Sequence, residues 1–300
     1  MHRKILALAA ALSVVACRER ATLRPPAEML RDTVPVLVGA GDVADCRNGE
    51  SSQTAAILDT VRGTIFVAGD VAYPTKKVRD PLHQCYAPNW GRHLARTRPS
   101  PGNHEYEFGN ADQYFNYFGD LAGPRPGGYY SYELGDWHVV ALNTNLASDS
   151  ASPQGQWLRA DLAAHAGHCA VAYMHHPRFS SGPHSERERI APLWNMLVGY
   201  GVSVVIAGHD HIYERFSPLD TAGNPDMERG ARQFVAGTGG ADNYEIKDIL
   251  PGSGVQSGTA HGVLKLMLFT DHYRWDFIPV DADGFRDSGS SVCHPLLAAR

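Results

Sequence analysis

The stretch Thr64-Ile-Phe-Val-Ala-Gly-Asp-Val-Ala-Tyr73 limits most tightly what this chain can become. A short apolar, β-branched run ends abruptly in Gly69-Asp70. That pattern belongs to a strand buried on both faces, as in a parallel sheet. The carboxylate then falls at the strand's carboxyl end, where open α/β sheets bind ligands. Val36-Leu-Val-Gly-Ala-Gly-Asp42 has the same grammar, as do Val171-Ala-Tyr-Met-His-His176 and Val204-Val-Ile-Ala-Gly-His-Asp-His211. Several buried strands each bring an Asp or His to one edge, which points to a metal site centred on Asp70.

Between these strands the sequence supplies helices. Glu50 to Val61 carries Ala55, Ala56, Leu58 and Val61 near the 3.6 period. Helices are also predicted over Asn89–Arg96, Asp112–Phe118, from Ser152-Pro153 to about Ala166, and over Glu186–Tyr200. Pro153 suits a first helical position. Gly127 to Asn145 reads as a β-hairpin around Gly135-Asp136, and His261 to Val280 as another around Asp271-His272. Gln233 to Gly240 is a further strand, Ala241 to Ala260 a loop, and the tail after Asp281 weakly patterned. One domain of alternating strands and helices, with antiparallel additions, is the simplest reading.

Composition narrows the context. The net charge of −5 and the lack of a basic cluster argue against a nucleic-acid binder. His2-Arg3-Lys4 followed by apolar Ile5 to Ala16 reads as an export signal too short to span a bilayer. Val14-Val-Ala-Cys17 resembles a bacterial lipobox. It predicts removal of residues 1–16, a membrane anchor on lipidated Cys17, a tether over 17–33 and a bacterial cell-envelope lipoprotein whose folded domain spans 34–300. An ordinary cleavable signal is the alternative. Four other cysteines in an exported chain suggest disulfides. Cys46 and Cys85 both follow strands to the carboxyl edge, so Cys46–Cys85 is the favoured pair. Cys169 begins its strand, and pairs with Cys293 or remains a buried thiol.

Two metal ions about 3.5–4 Å apart need a bridging ligand and a mixed oxygen and nitrogen set. Asp70 is best placed as the bridge. Asp42 adds a carboxylate from the adjacent strand, Asn103 a neutral carbonyl oxygen, and His175, His209 and His211 imidazole nitrogens. In an extended Gly208-His-Asp-His211 turn the two imidazoles point the same way and feed both metals. A serine hydrolase is unsupported, since no Gly-x-Ser-x-Gly occurs.

The ordered set Gly-Asp42, Gly-Asp70-Val-Ala-Tyr73, Gly-Asn103-His104-Glu105, His175-His-Pro177 and Gly-His209-Asp-His211 resembles the calcineurin-like metallophosphoesterases. Tyr73 resembles their purple acid phosphatase branch in particular. The likeness spans residues 35–215 and continues through Gly237-Thr-Gly-Gly240. It departs at Asp42-Val-Ala44, where the family usually has Asp-x-Gly; the extra methyl bears on a tight loop but removes no ligand.

The resemblance implies a β-sandwich of mixed sheets flanked by helices. It implies that Asp42, Asp70, Tyr73 and His211 hold one metal, and Asp70, Asn103, His175 and His209 the other. Its His-x-Pro spacing selects His175 over His176. The phenolate suits Fe3+, and the second set suits Zn2+, Mn2+ or Fe2+. Catalysis would fall to His104 and to Asp70, with a metal-held hydroxide attacking a small phosphorylated substrate. Asn103, His104 and His184 would contact that substrate. Glu105 would orient its loop. A phosphodiesterase or nucleotide hydrolase is the nearest alternative, and an inactive surface binding module the alternative of another class. His83, His93, His138 and His261 carry no role in this scheme.

Overall fold

A computed structural model of the chain describes residues 34–107, 109–184 and 187–298. The expected signal segment, Cys17 anchor and 17–33 tether lie outside the described residues, as does Glu186 at the expected start of the last helix. Among the described residues no helix is long and apolar enough to cross a membrane.

The first part of the chain gives β1 (Val36–Ala40), β2 (Ala44–Asp45), α1 (Glu50–Thr60), β3 (Thr64–Ala68), β4 (Ala72–Tyr73) and β5 (Thr97–Ser100). Then come α2 (Asp112–Phe118), β6 (Tyr130–Leu134), β7 (Trp137–Ala141), α3 (Pro153–Ala164), β8 (Cys169–Tyr173), α4 (Arg187–Tyr200) and β9 (Val204–Ala207). The last part is all strand: β10 (Tyr213–Leu219), β11 (Ala231–Ala236), β12 (Ser253–Ser257), β13 (Gly262–Leu268), β14 (His272–Pro279) and β15 (Asp287–Val292).

These strands form two mixed sheets. One runs β15-β14-β13-β1-β3-β5, with β1, β3 and β5 parallel. The other runs β12-β10-β11-β9-β8-β7-β6, with β7, β8, β9 and β11 parallel. Leu37 and Phe66 of the first sheet pack against Trp137, Val171 and Phe234 of the second. Their neighbours Val38 and Ile65 face outward onto α1 and α2, with Leu58 and Phe115. Ala172 and Val205 face α3 and α4, with Leu158 and Leu197. The order is thus helix, sheet, sheet, helix. Strands buried on both faces explain the unbroken apolar runs. Each fully buried Leu, Val or Phe contributes roughly 1.5–3 kcal/mol.

Several expectations need correction. Ala241 to Ala260 is not all loop, because Ser253–Ser257 pairs with β10 as an edge strand. The weakly patterned tail contains a further strand, since Asp287–Val292 pairs with β14. Tyr73 to Pro88, which the sequence reads as irregular, holds a helical turn at Leu82–Tyr86, and Ala72–Tyr73 pairs in parallel with Ala44–Asp45. The helix expected over 89–96 is present, as a 3₁₀ helix over Trp90–Arg96. Both cysteine pairs are bridged, Cys46 to Cys85 and Cys169 to Cys293.

Candidate metal centre

The site lies where the parallel strands of both sheets end. β1, β3 and β5 deliver Asp42, Asp70 and Asn103-His104; β8 and β9 deliver His175 and His209-Asp-His211. The two sheets are joined there by backbone bonds from Gly41 N to Ala236 O (2.8 Å) and from Gly239 N to Gly41 O (3.0 Å). Close approach demands glycine. A Cβ at Gly208 would sit 2.5 Å from Asp42 Oδ2, and one at Gly102 would sit 2.1 Å from Asp70 Oδ1.

Two donor groups meet at Asp70. In the first, Tyr73 Oη donates to Asp42 Oδ1 at 2.8 Å and lies 3.1 Å from His211 Nε2. His211 Nε2 is 3.4 Å from Asp42 Oδ1. In the second, His175 Nε2 is 3.0 Å from Asn103 Oδ1, 3.2 Å from Asp70 Oδ2 and 3.2 Å from His209 Nδ1. Single donor atoms of Asp42, Asp70 and His175 all lie within 4.8 Å of one another. Asp42, Asp70 and His175 are buried.

The backbone and its carbonyls hold these groups in place. Asp42, Asp70 and His209 all have positive φ, at 59°, 46° and 71°. Such conformations are uncommon outside glycine and concentrate at functional sites. The expectation of an extended His209–His211 turn is therefore corrected. The left-handed His209 sends its ring toward His175, while His211 turns toward Tyr73. His175 Nδ1 and His211 Nδ1 donate to the carbonyls of Ala68 and Asp242, at 2.9 and 2.7 Å. These contacts leave each Nε2 aimed into the site, as an outer shell does for metal-binding imidazoles.

Charge within the cluster is strongly coupled. Burial pushes the Asp70 carboxyl up, but the adjacent His175 imidazolium outweighs it and holds the group well below the usual range. Burial opposes a charged His175, yet Asp70 raises it to about 9. His209 is pushed down to about 3 by burial and the charge on His175. Buried carboxylates beside imidazoles, an amide oxygen and a phenol make a donor set suited to hard and borderline cations.

The remaining candidates fall around this centre. His104 N donates to Asp70 Oδ1 at 2.9 Å; its Nε2 is 3.8 Å from Asp70 Oδ2 and its Nδ1 2.7 Å from Glu107 Oε1. Glu105 accepts from Val71 N (2.9 Å) and Gly102 N (2.6 Å), pinning the loop. His176 Nδ1 is 2.7 Å from Thr144 Oγ1, and one of its ring nitrogens lies within 4.8 Å of donor nitrogens on His175 and His209. His184 is exposed, its ring 5.5 Å from that of His209. Ala44 lies in the short β2 strand, and its N–H donates to Val71 O, so the methyl is accommodated. Sequence reasoning missed Tyr244, whose ring stacks on His211 at 4.0 Å and 12°. It also missed the Asp242 carbonyl. Neither sits in a motif or periodic element.

Comparison with known proteins agrees with this geometry. The calcineurin-like phosphoesterase family model matches residues 35–213. The chain belongs to that family. Within it the chain is similar to the purple acid phosphatase branch. Purple acid phosphatase 21 of Arabidopsis thaliana is 32% identical over 205 residues, covering 60% of this chain and 44% of its own. The structure of a purple acid phosphatase from yellow lupin seeds superposes with a TM-score of 0.65 at 19% identity, over 85% of this chain and 53% of that one. A dimetal phosphatase from Danio rerio gives 0.60 at 14% identity, over 88% of this chain and all of that one. The chain spans about half the length of the curated relatives it matches.

Proposed function

We propose that this chain is a two-metal phosphoesterase that hydrolyses phosphomonoesters. The observation that carries the reading is the meeting of two donor groups at Asp70. Asp42, Asp70, Tyr73 and His211 would hold a ferric ion. Asp70, Asn103, His175 and His209 would hold a divalent one, Zn2+, Mn2+ or Fe2+. When bound, the pair supplies the positive charge that activates a water near neutral pH and offsets negative charge building on phosphoryl oxygens.

The chain's own groups do the rest. Asp70 orients the His104 loop through its bond to the His104 N–H. Glu107 lies against His104 Nδ1, so His104 presents Nε2 toward the site and passes a proton to the leaving oxygen. Asn103 holds its amide oxygen on His175 and keeps its nitrogen for a phosphoryl oxygen. His184 and Tyr244, with rings 5.1 Å apart, flank the approach beside His209 and His211. Disulfides persist in oxidising compartments, so the bridged cysteine pairs support an exported protein. A lipid anchor on Cys17 completes the proposal and rests on the sequence.

The test compares p-nitrophenyl phosphate with bis(p-nitrophenyl) phosphate, using the full chain loaded with iron and zinc. Faster release from the monoester is expected. Faster release from the diester overturns the monoester assignment, and no release from either overturns the enzymatic one.

A further inference from the structure

Asp210 stands between the imidazoles of His209 and His211, in the turn from β9 to β10, and its carboxylate turns to a neighbouring loop. The residue is fully buried. Its Oδ1 accepts the His184 N–H at 2.9 Å, across 26 residues of sequence. Gly182 lies flat against the same carboxylate, where a Cβ would sit 2.5 Å from Asp210 Cγ. A buried carboxylate is costly to a fold unless hydrogen bonds compensate it. Spacing two imidazoles needs no acid, since any residue between them keeps the count. The charge is accounted for by what it binds, which is the loop over residues 177–184.

The start of that loop has its own anchors. Gln233 of β11 takes the Arg178 and Phe179 N–H groups on Oε1, both at 3.1 Å, and donates Nε2 to the Phe179 carbonyl. Glu214 of β10 takes the Ser181 N–H at 2.8 Å and the Ser181 hydroxyl at 2.5 Å. Ser181 Oγ in turn accepts from Leu250 N at 2.9 Å, which ties the loop to the segment that carries Tyr244. Past Ser181 the chain comes to the surface, and Pro183 and His184 are exposed. The His184 ring nevertheless stands 5.5 Å from that of His209 and 5.1 Å from that of Tyr244. An exposed side chain has little packing to aim it. The backbone bond to Asp210 sets where this one begins.

We propose that Asp210 is a positioning residue for the substrate, acting through His184. It holds that imidazole at the rim of the centre, on the side where a phosphoryl group would enter. The inference rests on the phosphoesterase reading above. One turn then sets three imidazoles: His209 and His211 by its own backbone, and His184 by the carboxylate between them. The position of His184 relative to the centre is fixed by a buried bond instead of by a free loop. A purely structural role for Asp210 is the competing account. The two differ in what they require of the His184 ring, because the bond to Asp210 is made by the His184 backbone alone.

The test assays the full chain, loaded with iron and zinc, on p-nitrophenyl phosphate, with metal content measured on every variant. Asp210→Ala is expected to raise KM at least about tenfold, the scale of losing a hydrogen bond to a charged group, with kcat changed far less. Asp210→Asn keeps an acceptor oxygen and should restore most of the loss. Gly182→Ala displaces the same loop without altering the turn between the imidazoles, and should raise KM as well. His184→Ala keeps the backbone N–H, so adding Asp210→Ala to it should still lower stability but should no longer raise KM. An equal KM rise in both backgrounds, or a wild-type KM in Asp210→Ala, overturns the proposal. If Asp210→Ala loses metal, Gly182→Ala decides, and a wild-type KM there overturns the proposal. Hydrogen exchange of the metal-free chain reads the loop independently of activity. The 177–184 amides should exchange faster in Asp210→Ala, and unchanged exchange overturns the proposal. No phosphate release from wild type overturns the phosphoesterase reading itself, whereas an active wild type with additive effects overturns the role of Asp210 alone.

Discussion

The phenol oxygen of Tyr73 lies 2.8 Å from Asp42 Oδ1, a contact made across 31 residues of sequence. The short β2–β4 ribbon makes it possible. Ala44 pairs with Ala72 and Asp45 with Tyr73, which continues the β1–β3 alignment beyond both acids. Burial and the Asp42 carboxylate push the phenol well above its ordinary pKa, so a cation must displace its proton to bind there. The iron-loaded chain is expected to absorb visible light through phenolate-to-iron charge transfer. Tyr73→Phe should abolish the band while circular dichroism is unchanged. A band of full strength in the variant removes Tyr73 from the ligand set.

In the proposed scheme Asp70 would bridge both cations, so Asp70→Asn should do more damage than loss of a supporting hydrogen bond. Outer-shell losses typically weaken metal affinity or activity about 10–100-fold. Phosphate release should fall by more than that, with a parallel loss of bound metal by elemental analysis. Retention of either at the wild-type level counts against Asp70 as the bridge.

Gly102→Ala probes the cradle without touching a ligand. The added Cβ would sit 2.1 Å from Asp70 Oδ1 and 2.3 Å from Asp70 N, so the loop must move. Overpacking of this kind costs about 1–3 kcal/mol, readable by urea denaturation. Turnover should drop more than stability, because the same loop carries Asn103 and His104.

Glu105→Ala should leave the Val71 and Gly102 N–H groups without their acceptor. Each unsatisfied buried donor costs about 1–3 kcal/mol. Glu105→Gln keeps an acceptor oxygen and should recover part of the loss. Burial and the nearby Asp70 raise the Glu105 carboxyl to about 8, so a neutral amide is a close replacement. If both variants match wild type in denaturation, Glu105 is not the loop's anchor.

Much of this arrangement was legible in the sequence because strands buried on both faces are unbroken apolar runs. β1, β3, β8 and β9 each end at the acid or imidazole that the sequence marked. β15 was not legible. Its residues Asp287-Ser-Gly-Ser-Ser-Val292 are largely exposed, and backbone pairing with β14 places them. β12 is likewise an edge strand, with Gly254 and Gln256 where an apolar alternation would show. The His209 turn escaped because its left-handed backbone depends on Asp42 Oδ2 accepting the His209 N–H at 2.7 Å, a contact spanning 167 residues. Tyr244 is placed by its own N–H on the His211 carbonyl, which no local pattern reveals.

The Cys169–Cys293 bridge spans 124 residues and Cys46–Cys85 spans 39. Loop-closure entropy favours the longer bridge as the stronger stabiliser, each contributing about 2–5 kcal/mol. Cys169→Ser/Cys293→Ser should therefore lower the denaturation midpoint at least as much as Cys46→Ser/Cys85→Ser. A larger loss from the shorter bridge would show that local support of the β2 loop outweighs chain entropy.

The proposal that Asp70 joins two cation sites is tested most directly by phosphate release from the full chain before and after exhaustive chelation, with metal content measured on the same samples. Release should vanish as the metal is withdrawn and return when iron and zinc are restored together. Undiminished release from a chain with no measurable metal would contradict it.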